Sequence, residues 1–195
     1  MPGRLKKFLL SVWEVVEVVF VATATVFLIR SFLVQPFLVS GASMEPNFSD
    51  GNYLIIDEIT YRFRSPERGE VVVFRFPKDP SVFFIKRIIG LPGERIANSG
   101  NGIIVYHDIK DTTGKALTES YLSRDSVKDR FDVWLNNDEY FVLGDNRNAS
   151  FDSRSWGPIK REAIVGVVRI RVFPLQKFNS FTPPRYETAG QSSAL

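Results

Sequence analysis

The chain has 195 residues, with 25 basic against 22 acidic side chains, a balance too even for a nucleic-acid surface, so no nucleic-acid partner is expected. The absence of cysteine excludes disulfides, thiolate metal sites and a cysteine nucleophile, and the single histidine, His107, argues against a conventional zinc centre; no metal and no cofactor are expected. The length suits one folded domain with an attachment, and 17 phenylalanines favour a β-rich protein or one that touches a membrane.

The N-terminus begins with Arg4, Lys6 and Lys7 and enters an apolar stretch interrupted by Glu14 and Glu17. Residues 15–34 supply the roughly 20 mostly apolar positions that a transmembrane helix needs, provided that Glu17 and Arg30 sit near the two interfaces. The basic cluster ahead of them places residues 1–14 in the cytoplasm. A single-pass anchor is therefore predicted, with the rest of the chain on the outer face. Two other readings compete. A cleaved signal peptide would use Ala22-Thr23-Ala24, but the cut would fall inside the apolar run. A buried amphipathic helix of a soluble protein is the other. The anchor is preferred.

Directly after it comes Ser40-Gly41-Ala42-Ser43-Met44-Glu45-Pro46, a serine between small residues and Pro. Small neighbours let a substrate backbone approach, and Pro46 stiffens the turn. From Tyr53 onward the texture is β. Runs of β-branched and aromatic residues at 53–56, 70–76 and 82–89 are punctuated by Asp50-Gly51, Arg68-Gly69, Phe76-Pro77 and Leu91-Pro92-Gly93. Further strands are predicted at 102–106, 140–143 and 164–173. Residues 35–180 thus read as a mainly β, antiparallel-sheet domain, with a loop-rich excursion over 98–130 that has its own hairpin. Residues 181–195 are poor in apolar side chains and are predicted to be disordered.

A serine nucleophile needs a base. His107 lies in the irregular excursion, which disfavours a histidine triad. Asp111-Thr112-Thr113-Gly114 has no second copy, so an aspartic-protease reading fails. A lysine remains. Alternation along the strand puts Lys86 on the face of Phe84 and Ile88, where poor solvation lowers its pKa. A general-base lysine needs a value near ~7–8 instead of about 10.4, a shift worth roughly 4 kcal/mol. The third segment runs from Gly144 to Gly157 and includes Asp145, Arg147, Ser150, Asp152, Ser153 and Arg154. Its density of polar groups predicts a rigid loop wired by its own side chains. Asp145 or Asp152 can pair with Arg87, Arg147 or Arg154, and Ser150 or Ser153 can orient a neutral lysine.

Taken together, the box at 40–46, the lysine region at 68–74 and 85–94, and the box at 144–157 resemble type I signal peptidases, in order and spacing from about residue 34 to 172. These are membrane-bound serine proteases that remove signal peptides from exported proteins. The resemblance implies a catalytic domain of the signal peptidase/LexA type. It implies Ser43 as nucleophile, Lys86 as general base and Ser150 as the hydroxyl that positions the amine. Arg87, Asp145, Asp152 and Arg154 would support the site, Pro46 would shape the turn, and Met44 would pack under the nucleophile. Gly41, Ala42 and the Ser43 N–H would form the approach to the oxyanion. The expected partners are signal peptides with Ala-x-Ala-like cleavage sites, and the lipid bilayer. Two departures stand out: Asn47 replaces the Thr often found after the Pro, and Gly41 occupies a place where some members carry an oxyanion-hole Ser. Rival readings are a LexA-like self-cleaving Ser/Lys protein and a membrane-tethered module that has lost activity.

Overall fold

The computed structural model describes residues 2–32, 35–100, 102–122, 129–184 and 186, with side chains described in the first helix for residues 10–26. Helix α1 (Pro2–Phe32) runs unbroken for 31 residues, about 46 Å at 1.5 Å per residue. Its large apolar side chains within residues 10–26 are exposed: Trp13, Val18 and Phe20 are 67, 68 and 70 % exposed. Among the described residues no helix is long and apolar enough to cross a membrane.

The rest is antiparallel β structure. In chain order the strands are β1 (Gln35–Leu38), β2 (Tyr53–Asp57), β3 (Val71–Phe76), β4 (Asp79–Gly90), β5 (Arg95–Asn98) and β6 (Ile103–Tyr106), then β7 (Lys115–Ala116), β8 (Phe131–Trp134), β9 (Glu139–Leu143), β10 (Ile159–Lys160), β11 (Ile164–Phe173) and β12 (Asn179–Ser180). Two one-turn helices, α2 (Thr60–Phe63) and α3 (Ser153–Trp156), join them. The main sheet has the order β1-β2-β11-β3-β4-β9-β10, with β12 on β11, and a second sheet runs β7-β6-β5-β8. The excursion at 98–130 is therefore more regular than its sequence suggests. Its strands join β5 and β8 in a sheet of their own, although Asn101 and residues 123–128 lie outside the described residues.

Strand β4 organises the molecule. It pairs Val72 with Lys86 on one side, and Arg87 with Leu143 on the other. Strand alternation sends Phe84 and Ile88 into one core cluster with Val72, Phe74 and Val142. Ile85 packs against a second cluster, around Met44, Phe48 and Leu54. Ile89 enters a third, where Phe141 and Leu143 of the main sheet meet Ile96, Ile103 and Val105 of the second. Gly90 permits that junction, because a Cβ there would lie 2.6 Å from Ile96 and 2.7 Å from Leu135. The predicted disordered tail begins in packed form. Phe181 stacks on Phe48 at 4.4 Å between ring centroids, and Pro184 and Tyr186 lie against Gly69. An aromatic place in the core wins over the low apolar content of this stretch. Arg185 and residues 187–195 lie outside the described residues.

Candidate active site

Residues 39–52 form a loop closed at its base by two backbone bonds, Val39 N–H to Asn52 O at 2.9 Å and Gly51 N–H to Val39 O at 3.0 Å. Met44 and Phe48 are fully buried beneath it among Leu54, Ile56 and Val73. Phe48 N–H also donates to Met44 O at 2.9 Å, and Pro46 follows a cis peptide bond. Gly41 takes a φ of +89°, which a side chain disfavours, and its N–H donates to Asp50 Oδ1 at 2.7 Å. That donor is thereby occupied. The loop thus holds Ser43 on a rigid floor, with Ser40, Gly41 and Ala42 along the rim of an open groove.

Lys86 meets Ser43 across 43 residues of sequence. Its Nζ lies 2.8 Å from Ser43 Oγ and donates to Ile85 O at 2.9 Å, and the side chain is only 3 % exposed. The Phe84 ring stands 5.4 Å from Nζ. Burial is the leading cause of a pKa drawn down to about 8, against the opposing pull of the Asp152 and Asp145 carboxylates. At that value about a tenth of the amine is neutral at pH 7, compared with fewer than about one in a thousand for a free lysine. At this distance a neutral amine is within reach to accept a proton from the Ser43 hydroxyl.

Behind the pair stands the loop that follows β9. Asp145 accepts a bidentate ion pair from Arg87, at 2.8 and 2.6 Å, and Arg87 Nη1 donates to Gly69 O at 2.8 Å. Asp152 takes Arg154 Nε at 2.8 Å and the Gly144 N–H at 3.1 Å. Arg154 also reaches Arg147 O at 2.7 Å. Arg147 pairs with Glu119, at 2.9 Å for one of the two contacts. The open pairing among acids and arginines is thus resolved, with Glu119 as a partner that the sequence did not suggest. Gly144 brings the boxes together: a Cβ there would fall 2.2 Å from Ser150 Oγ and 2.4 Å from the Ser43 carbonyl oxygen. Asn146 completes the seam, its N–H donating to Ser43 O at 3.0 Å and its side chain to Ala42 O at 3.1 Å.

The two candidate serines separate. Ser153 Oγ accepts the Val142 N–H at 3.0 Å and is spent on the backbone. Ser150 Oγ is buried and has no hydrogen-bond partner among the described residues, so it stands beside the site without touching the amine. Asn47 does more than vary a turn. Its amide donates to Asp145 Oδ2 at 2.9 Å and to Tyr121 O at 3.0 Å, which ties the serine loop to the third box and to the excursion. Nothing in the sequence links residues 74 and 98 positions apart, so only the fold reveals this tie. His107 is remote from the pair, with its Nδ1 3.2 Å from Glu94 Oε1.

The groove in front of Ser43 measures about 510 Å³ and is walled by Leu38, Leu54, Val82, Phe83, Ile85 and Phe151 among others. Strand β4 meets β9 only from Arg87 onward, so its 79–86 half carries a free edge among the described pairings. No group of acidic or histidine side chains able to hold a metal occurs among the described residues.

Comparison with known proteins gives one consistent result. The sequence profile of the family described as signal peptidase, peptidase S26, matches residues 12–173. The probable signal peptidase I-2 of Synechocystis sp. is 39 % identical over 160 residues, covering 79 % of this chain and 70 % of that protein. Signal peptidase I P of Bacillus subtilis subsp. natto is 33 % identical over 174 residues, covering 83 % and 89 %. A crystal structure of a signal peptidase I from Enterococcus faecalis V583 aligns with a TM-score of 0.45 and 27 % identity, over 53 % of this chain and 97 % of that one.

Proposed function

This chain belongs to the signal peptidase family, peptidase S26, and from that premise we propose a Ser43/Lys86 mechanism working at a membrane surface. The protein is a serine endopeptidase of the signal peptidase I type, which cleaves signal peptides from exported preproteins. Ser43 Oγ attacks the carbonyl before the scissile bond while neutral Lys86 takes its proton. Lys86 then returns that proton to the leaving amine, and a water activated by the same amine releases the acyl group. The Ser43 N–H is the main-chain donor for the oxyanion, since no described residue accepts from it, whereas Asp50 holds the Gly41 N–H. Ser150 serves as the hydroxyl that turns toward the amine during the cycle.

The substrate lies as an added strand on the free edge of β4, with small side chains of an Ala-x-Ala-like site in the apolar groove. Although no described helix is by itself apolar enough to cross a membrane, the apolar run of the sequence continues to Val34, and in this reading residues 15–34 anchor the chain in one pass, residues 1–14 face the cytoplasm, and residues 35–180 work on the outer face. The exposed apolar surface of α1 and the basic N-terminus support this topology. Within this reading a LexA-like self-cleaving role loses ground to family membership, and a dead binding module loses ground to the intact pair.

The observation that carries the mechanism is the 2.8 Å contact between a buried lysine amine and the Ser43 hydroxyl. Purified full-length chain in detergent should convert a preprotein to its mature form, and Ser43→Ala should stop that conversion without unfolding the protein. Full activity of Ser43→Ala overturns the assignment.

A further inference from the structure

The excursion between β5 and β8 has no part in the reaction described above, yet one stretch of it is built into the catalytic support. Thr118–Leu122 leaves the second sheet and inserts Glu119 and Tyr121 between the arginines behind the dyad. The Arg87 guanidinium stacks on the Tyr121 ring at 4.0 Å. Tyr121 OH donates to Glu119 Oε1 at 2.7 Å, and Glu119 receives both terminal nitrogens of Arg147. Arg147 Nε in turn holds Gly144 O at 2.9 Å, and Tyr121 O receives the Asn47 amide at 3.0 Å. Tyr121 thus reaches Asp145 through Arg87 and Asn47, and Glu119 reaches Gly144, the chain neighbour of Asp145, through Arg147.

We propose that Glu119 and Tyr121 are positioning residues for signal-peptide cleavage, acting through Arg87, Arg147 and Asn47 to hold the Asp145 loop against the serine turn. The inference rests on the Ser43/Lys86 reading. The geometry gives the small second sheet a link to a dyad built from the 39–52 loop and strand β4 of the main sheet. Arg87 makes its bidentate contact to Asp145 with one face covered by Tyr121, so the ring fixes the plane in which the fork lies. Asn47 occupies the remaining approach to Asp145 Oδ2 and is itself held by the Tyr121 carbonyl. When the clamp is absent, the Arg87 fork is free to tilt and the Asp145 charge is less neutralised. The charged groups facing Lys86 are Asp145 and Asp152 from the third box, with Arg87 beside it on β4 and Arg154 from α3 pairing Asp152. A less neutralised Asp145 favours the ammonium form and withholds the base.

The test uses full-length protein in detergent, with Tyr121→Leu, Tyr121→Phe and Glu119→Gln, and with Ile109→Ser as a control on the exposed rim of the second sheet. Preprotein cleavage is measured across pH with kcat and KM separated. In parallel the titration of Lys86 is followed by 13Cε-lysine NMR, which needs no substrate and so separates failure of this inference from failure of the protease reading. Tyr121→Leu and Glu119→Gln are expected to lower kcat about ten- to a hundredfold with little change in KM. Both are expected to move the Lys86 midpoint upward, while Tyr121→Phe keeps the ring and most of the activity. Folded variants with an unmoved Lys86 midpoint and wild-type kcat overturn the proposal. So does a loss that only follows the unfolded fraction, read by thermal unfolding of the same samples.

Discussion

Replacing Lys86 by Met separates the requirements of catalysis from those of folding. The folded pKa of about 8 lies about 2.5 units below the ordinary 10.5, so carrying the charged lysine in the core costs about 3 kcal/mol below pH 8. The sign follows from proton counts. Below pH 8 the folded and unfolded chains are both protonated and the whole cost is present. Between pH 8 and 10.5 the folded state has released its proton while the unfolded state keeps it, so stability rises with pH; above 10.5 the cost is gone. Met fills a similar volume without the charge, but it forfeits the Nζ contacts to Ser43 Oγ at 2.8 Å and Ile85 O at 2.9 Å, each worth about 1 kcal/mol. Lys86→Met should therefore be inactive in preprotein cleavage yet about 1–3 kcal/mol more stable at pH 7. Urea unfolding of both proteins from pH 7 to 10.5 is the assay. Their difference should stay nearly level from pH 7 to 8 and shrink between pH 8 and 10.5. A variant less stable than wild type at pH 7, or a difference independent of pH, refutes the view that burial of a charge is what tunes this lysine.

Two more predictions use other parts of the site. Ser150→Ala should reduce cleavage at least about tenfold while leaving thermal stability unchanged or slightly higher, because its hydroxyl is buried and unpartnered at rest; activity assays and melting curves of the same preparation check both halves. A chain lacking residues 1–33 should still co-sediment with liposomes. Leu38, Tyr53, Phe173, Leu175 and Phe178 expose apolar surface on one end of the main sheet, where Leu38 pairs with Tyr53 and Tyr53 with Phe173. Loss of all lipid binding would leave attachment to α1 alone.

Much of this architecture is legible from residue patterns. Strands β3, β4 and β11 are dense in β-branched and aromatic side chains and bounded by Gly or Pro, so their positions emerge from local chemistry. The buried lysine is legible too, since alternation alone puts Lys86 between Phe84 and Ile88. The second sheet is legible only at β6, which falls on the strand predicted at 102–106. Strands β5, β7 and β8 are two to four residues long and carry Arg95, Lys115 and Asp132 at partly or fully exposed positions, a pattern that reads as loop. Nor does sequence distribute three arginines among their acids. The Arg147 partner, Glu119, arrives from the excursion, and the role of Asn47 depends on contacts to Asp145 and Tyr121 that only the tertiary fold creates.

The pH dependence of kcat/KM for preprotein cleavage, measured for wild type beside His107→Ala, tests the central claim that a buried neutral lysine is the base. An alkaline limb with a midpoint near 8 is predicted, reflecting the fall of the Lys86 pKa from the ordinary 10.5 to about 8 on burial, with about a tenfold gain from pH 7 to 9. His107→Ala should trace the same curve. A pH dependence that disappears in His107→Ala, or a rate indifferent to pH between 6 and 9, would contradict it.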